Sequence, residues 1–219
     1  MDLRAIASDV PEYEVFLTVD ELTASSRQLV AEFPDIASLK TVGETRSGDP
    51  IDLLTIQGGP EAAFVFGGPH PTEPIGCMTI EFLSRRLCED ASLRQELGYT
   101  WHFIKSIDAD GMRLNEGWFK GPFTPTNYAR HFFRPAPFDQ VEWTFPVAYK
   151  ALKFDAPLPE TQALMRVIDE VKPKFMYSLH NAGFGGVYYY LSRECPALYD
   201  TLHAIPEWFG LALDLGEPE

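Results

Sequence analysis

The sequence predicts an α/β protein with a mixed, mostly parallel central sheet flanked by helices. Two observations predict this class. The first two strand-like segments are joined by a short turn that contains glycine, as in an antiparallel hairpin. After them, apolar strands alternate with segments of helical periodicity. A hairpin followed by such an alternation is typical of a mixed sheet covered by helices, and we expect one domain over residues 1–219.

The first forty residues are expected to form an N-terminal helical segment. Thr18 or Asp20 can cap a helix that runs to about Phe33, because both side chains offer an oxygen to the free N–H groups of a first turn. Pro34 then stops the helix. The hairpin strands are predicted over 42–46 and 51–56, and a third strand is predicted over 62–66.

The rest of the chain continues the alternation. A helix is expected from Pro74, since proline is tolerated in a first helical turn. The segment 112–154 has no sustained period and is rich in proline, glycine and aromatic residues, so we interpret it as an ordered loop around a site. The remaining elements are predicted as a helix over 74–88, strands over 99–104, 175–179 and 187–191, and helices over 160–171 and 197–213.

The composition excludes several classes of function. The chain has 219 residues, of which 45% are hydrophobic, as in an ordinary globular domain. Its formal net charge of -14 disfavours nucleic acid or an anionic membrane surface as a partner. Three cysteines without a Cys-x-x-Cys pair argue against a disulfide framework and a cysteine-built metal site. No secretory signal or membrane-spanning run is recognisable, so we expect a cytoplasmic protein.

Two histidines follow apolar strands. His70 comes after the strand at 62–66 and a Gly-Gly-Pro turn, with Glu73 three residues later, and His180 comes after the strand at 175–179. Parallel neighbouring strands would bring these side chains to one edge of the sheet, where α/β folds place their chemistry. Two histidines and one carboxylate, with a fourth position left to water, are typical of a catalytic zinc site. We therefore predict His70, Glu73 and His180 as metal ligands.

Around these residues the sequence resembles a known family, the zinc metallocarboxypeptidases of carboxypeptidase A type. The resemblance extends over residues 40–192. Its segments follow the family's order. Val42–Ile51 resembles the "G-x-S-x-x-G-R-P-I" hairpin with Asp49 replacing arginine, and Ile107–Gly111 resembles the "N-P-D-G" loop with Asp108 and Ala109 replacing Asn and Pro. His70–Glu73 matches the first two ligands, Pro159–Leu164 is similar to "P-E-T-x-A-L", and Ser178–His180 matches "S-x-H".

The resemblance implies a hydrolase that binds one zinc ion and removes the C-terminal residue of a peptide. It also implies arginines that stabilise an oxyanion and clamp the terminal carboxylate of the substrate. In the long loop we predict Arg113 first, Arg130 second and Arg134 third for these roles, with Asn115 assisting at the carboxylate.

A general-base glutamate is also implied, and no residue of this chain is assigned to it. The acidic residues near the C-terminus lack a suitable context, so we expect the base beyond residue 219 and the domain to be incomplete; these residues are Glu194, Glu207, Asp214, Glu217 and Glu219. An incomplete domain predicts weak hydrolysis by this chain and an exposed sheet edge that favours self-association.

Two other functions stay open at this point. The segment 68–76 also resembles the "G-x-H-x-x-E-P-x-G" motif of zinc deacylases of the succinylglutamate desuccinylase or aspartoacylase type, whose substrates are small N-acyl amino acids. A non-catalytic module that binds peptides is the second alternative. The hairpin and the Asp-Gly loop favour the carboxypeptidases.

Overall fold

The computed structural model of the chain describes residues 2–181 and 185–216. The chain divides into two compact units, one formed by residues 13–180 and one by the described parts of residues 1–12 and 181–219. The smaller unit contains α1 (Leu3–Ser8) and α8 (Pro196–Trp208). The larger unit contains α2 (Val19–Glu32), β1 (Ala37–Glu44), β2 (Pro50–Ile56), β3 (Glu61–Phe66), α3 (Pro74–Glu89), α4 (Ala91–Leu97), β4 (Tyr99–Ile104), α5 (Ala109–Phe119), α6 (Pro125–His131), β5 (Val147–Tyr149), β6 (Leu152–Phe154), α7 (Pro159–Val171) and β7 (Phe175–Ser178).

The larger unit is built on a five-stranded sheet with the order β1-β2-β4-β3-β7. Strand β2 pairs antiparallel with β1 and β4, whereas β3 pairs parallel with β4 and β7. The predicted mixed sheet is thereby confirmed. Phe66 is in register with Ile104 on one side and with Ser178 on the other. The strands β3, β4 and β7 therefore end side by side, and their carboxyl ends form the edge of the sheet at which the chain leaves all three.

Sequence features explain where the main helices begin. Thr18 and Glu21 form a capping box at the start of α2, in which each side chain accepts a hydrogen bond from the backbone N–H of the other residue. Proline occupies the first turn of α3 and of α7, where its missing N–H would have no intrahelical partner. Helix α7 packs its apolar stripe on the core of the sheet, with Leu164 and Val167 fully or almost fully buried beside Phe64 and Phe66.

Two sequence-based predictions need correction. The segment 112–154 is not a continuous loop: it contains most of α5, all of α6, two short 3₁₀ turns and the β5–β6 hairpin. The missed signal for α5 is Asp108, whose carboxylate accepts the N–H of Gly111 and caps the helix. The strand predicted over 187–191 is also wrong, since in the described residues only Val187 takes part in a bridge, with Leu213. An apolar run alone does not supply a partner strand.

Strand β7 forms one edge of the sheet. Its residues Phe175, Met176 and Tyr177 are 41%, 50% and 44% exposed. An exposed apolar edge strand can template pairing with another chain, so self-association stays a prediction.

The single domain also stays a prediction, and all three cysteines are free, as expected. None of the helices among the described residues has the length and apolar character needed to cross a membrane.

Candidate metal centre

The two predicted histidines meet where β3 and β7 end. After β3 the chain turns through Gly68, whose φ of +63° is in the left-handed region that glycine adopts without strain. A Cβ atom at Gly68 would lie 2.8 Å from the sulfur of Met112, so the turn also needs the small residue for space. His180 follows β7 after one residue, and the rings of His70 and His180 lie with their centroids 4.8 Å apart.

Glu73 lies between the two rings. Its Oε1 is 2.9 Å from Nδ1 of His70, and its Oε2 is 3.0 Å from Nδ1 of His180. The residue is buried, with 4% of its surface exposed. Burial alone would raise the pKa of this carboxyl, but the hydrogen bonds from His180 and His70 outweigh burial and lower it to about 2. Glu73 is therefore an anion held against both imidazoles.

Glu142 is a second carboxylate at the site, and the sequence analysis missed it. Its Oε2 lies 2.8 Å from Nε2 of His180, and its Oε1 accepts the hydroxyl of Ser178. One ligand atom each from His70, Glu142 and His180 lie within 4.8 Å of one another, close enough to hold a metal ion. Glu142 belongs to a 3₁₀ turn in the middle of the long segment, and no local pattern there indicates a ligand.

Buried hydroxyl groups fix the turn that carries Glu142. Thr161 at the start of α7 donates a hydrogen bond to the carbonyl of Val141 over 2.6 Å, and the hydroxyls of Thr144 and Thr161 lie 2.6 Å apart. Both threonines and Val141 are completely buried. The position of Glu142 thus depends on α7, which lies further along the chain.

The donor set fits zinc. Imidazole nitrogen and carboxylate oxygen are its common ligands besides cysteine, and here two imidazoles and two carboxylates converge at the edge of the sheet. Burial would lower the pKa of His180, but Glu142 and Glu73 raise it to about 9. A cation that binds here takes the place of a proton, because only a neutral imidazole can be a ligand.

Arg134 is the arginine that contacts this group. Its Nη1 lies 3.2 Å from Oε1 of Glu73, and its side chain is 29% exposed. From the sequence, Arg134 is predicted third, after Arg113 and Arg130. Asn115 holds the backbone directly before it: the Asn115 side chain donates to the carbonyl of Phe133 over 2.8 Å and accepts the N–H of Phe133 over 3.1 Å.

The other predicted substrate-binding residues lie elsewhere. The guanidinium of Arg113 is paired with Asp49 and Asp20 at 2.7 and 2.8 Å, and neither carboxylate belongs to the metal-binding group. Asn115 is fully buried, and its amide is committed to backbone groups and to the indole N–H of Trp118. Arg130 lies in the last turn of α6 on an exposed surface. Substrate binding by Arg113, Asn115 and Arg130 stays a prediction, and the contacts favour Arg134.

No general base is assigned. Glu194, Glu207 and Asp214 lie in the smaller unit, and Glu217 and Glu219 lie outside the described residues. The expectation that this role falls to a residue beyond position 219 stays a prediction.

Comparisons with known proteins identify the family. The family model of zinc carboxypeptidases matches residues 22–205. Carboxypeptidase A from Helicoverpa armigera is 16% identical, with a TM-score of 0.59, over 91% of this chain and 56% of that structure. A metallo-carboxypeptidase from Burkholderia cenocepacia is 21% identical, with a TM-score of 0.58, over 87% of this chain and 49% of that structure.

A complex of bovine thrombin-activatable fibrinolysis inhibitor with tick carboxypeptidase inhibitor gives a TM-score of 0.57 at 14% identity, over 90% of this chain and 71% of that one. The chain thus spans about half to about 70% of these three structures. No curated protein sequence matches it. The family match covers most of the chain, includes both histidines and Glu73, and agrees with a donor set suited to one zinc ion. The chain belongs to the zinc carboxypeptidase family.

Proposed function

We propose that the chain is a zinc-dependent hydrolase that acts on the C-terminal residue of peptides. The observation that carries this proposal is the convergence of His70, His180 and Glu73 at the edge of the sheet, with Arg134 in contact with Glu73. Two imidazoles and a carboxylate supply a catalytic type of zinc site, and a guanidinium beside it can bind a carboxylate or an oxyanion.

In this proposal the Nδ1 atoms of His70 and His180 and the carboxylate of Glu73 are the ligands. Glu142 and Ser178 both contact Nε2 of His180, so they orient the ring and leave Nδ1 directed at Glu73. These residues would hold a zinc ion, which would supply Lewis-acid chemistry toward a scissile carbonyl and a water molecule.

Arg134 is proposed as the substrate-binding arginine. Its guanidinium contacts Glu73 over 3.2 Å and is partly open to solvent. When Glu73 is used as a ligand, Arg134 is available for an incoming carboxylate or oxyanion. A planar guanidinium can hold such a group through two parallel N–H···O bonds, which a lysine ammonium cannot reproduce.

The proposal is tested with zinc-loaded protein and three substrate sets. These are short peptides with a free C-terminus, the same peptides with an amidated C-terminus, and N-acetyl and N-succinyl amino acids. Because no general base is assigned, we expect slow turnover. The binding of each substrate is therefore also measured by calorimetry. Preference for the free C-terminus supports the proposal. Selective turnover of the N-acyl amino acids would favour a deacylase, and binding without turnover in a longer gene product would favour a non-catalytic module.

Replacement of Arg134 by lysine is predicted to weaken binding of a free C-terminal peptide by about tenfold or more, since a bidentate charge-assisted pair is lost. Zinc content should not change. The same calorimetric titration of Arg113→Lys tests the order of the arginines predicted from the sequence. The control is Arg85→Lys, because Arg85 is a surface arginine paired with Glu32. A loss in Arg113→Lys with normal binding by Arg134→Lys would contradict this assignment.

A further inference from the structure

A buried group of acidic side chains lies behind the loop that carries His70. Asp108 and Glu160 have side chains with 0% exposure, and both contact the guanidinium of Arg46. Nη2 of Arg46 is 3.2 Å from Oδ1 of Asp108, and Nε is 3.2 Å from Oε1 of Glu160. We call Arg46, Asp108 and Glu160 the buried charge cluster. It joins the turn after β1, the start of α5 and the start of α7.

The negative charges of this cluster exceed its positive charge. Asp110, on the same helix as Asp108, adds a third carboxylate close by, which accepts the hydroxyl of Thr45 and the N–H of Ser47. The groups that face Asp108 are thus Arg46 from the β1–β2 turn, Glu160 from α7 and Asp110 from α5. Two carboxylates thus share the guanidinium of Arg46, and a third lies close by.

Two carboxylate oxygens in the cluster are also unsatisfied. Oδ2 of Asp108 and Oε2 of Glu160 are buried and have no hydrogen-bond partner among the described residues. A buried carboxylate oxygen without a donor is costly when the group is ionised, and two such groups beside one cation repel each other. Burial and neighbouring negative charge both favour the neutral form of a carboxyl in such a place.

The cluster is in contact with the metal-binding loop through a short path. The N–H of Asp108 donates to the carbonyl of Gly68 over 3.2 Å. Gly111 separates Asp108 from Pro71, the residue after His70: a Cβ atom at Gly111 would lie 2.6 Å from Oδ2 of Asp108 and 2.8 Å from Cβ of Pro71. Asp108 therefore packs against this loop with only a glycine between them.

We propose that the buried charge cluster holds one proton, on Asp108, and that loss of this proton loosens the loop bearing His70 and weakens zinc retention. The second half rests on the proposed zinc site. The direction of the Asp108 pKa agrees: burial raises it to about 6, although the Gly111 N–H and Arg46 act to lower it, and Glu160 and Asp110 raise it further. The family motif has asparagine at this position, which is always uncharged.

The sign of the pH effect follows from this. A carboxyl whose pKa is raised on folding costs no stability below its ordinary pKa of 3.8. The cost in stability grows as the pH rises to about 6, and above that pH it remains constant. Asp108→Asn removes the ionisable group and keeps an oxygen that can cap α5 and accept from Arg46. Its melting temperature relative to the wild type should therefore rise between pH 4.5 and pH 7.5, by about 4 °C or more.

The experiment measures melting temperatures and zinc affinities of the wild type and Asp108→Asn over this pH range. We also expect the ratio of zinc affinities, variant to wild type, to rise by up to about tenfold, the equivalent of one pKa unit. Glu160→Gln removes a negative charge that raises the pKa of Asp108, so its melting-temperature difference from the wild type should change with pH in the same direction. This variant replaces Asp108→Asn if that one does not fold. Asp169→Asn, on the exposed face of α7, is the matched control and should follow the wild type.

A melting-temperature difference that does not depend on pH in either variant overturns the buried proton on Asp108. A pH-dependent difference with a constant ratio of zinc affinities overturns the link to the metal loop. If the wild type binds no zinc at any pH, the proposed function and this link fail together, while the melting temperatures still decide whether the proton is present.

Discussion

Replacement of Gly76 by alanine is expected to lower zinc affinity by about tenfold or more and to destabilise the protein by about 1–3 kcal/mol. Gly76 lies in the first turn of α3, three residues after Glu73. A Cβ atom there would be 2.8 Å from Cβ of Leu179 and 3.0 Å from its carbonyl oxygen. Leu179 precedes His180 and is held to β3 by its N–H, which donates to Phe66. The methyl group would therefore push His180 away from Glu73.

The measurement is a zinc competition titration together with chemical denaturation. Ile75→Ala is the control, since Ile75 is the preceding residue of the same helix and is 50% exposed. It should bind zinc as the wild type does. Normal zinc affinity in Gly76→Ala would mean that the separation of α3 from the end of β7 does not set the geometry of the site.

Replacement of Glu73 by glutamine is expected to reduce zinc affinity by at least about 100-fold, and replacement of Glu142 by about tenfold. Glu73 contacts Nδ1 of both histidines, whereas Glu142 contacts His180 on the Nε2 side only. A glutamine at 73 removes an anionic ligand. A glutamine at 142 keeps an oxygen that can orient the ring of His180 and removes only its charge.

Zinc affinities of the two variants decide which carboxylate is the ligand. Glu89→Gln, at the exposed end of α3, is the control for loss of one negative charge. A larger loss in Glu142→Gln than in Glu73→Gln would place the metal on the Nε2 side of His180 and would reverse the roles of the two carboxylates.

Local sequence patterns predicted the parts of the site that depend on neighbouring residues. His70 and His180 each follow an apolar strand, and parallel strands that pair in register bring their ends together. Glu73 follows His70 by three residues, and the proline at position 74 marks the start of α3. These relations need only the period of a strand, a turn signal and the rules of α/β topology.

The parts that were missed or ranked low depend on tertiary contacts. Arg134 reaches Glu73 across 61 residues of sequence, and Glu142 is fixed by Thr161 on a later helix. Arg113 lies near the Asp-Gly turn, as a substrate-binding arginine would, yet it is paired with Asp49 and Asp20. Asp49 occupies the position at which the family motif has arginine. This replacement was a signal in the sequence that Arg113 could be engaged in an ion pair.

The most direct test of this account is the zinc stoichiometry of the purified chain, measured by metal analysis after dialysis, in the wild type and in His180→Ala. We predict one zinc ion per chain in the wild type and almost none in the variant. Circular dichroism should show that both proteins are folded. Absence of bound zinc from the wild type, or equal zinc content in the two proteins, would contradict a metal centre built from His70, Glu73 and His180.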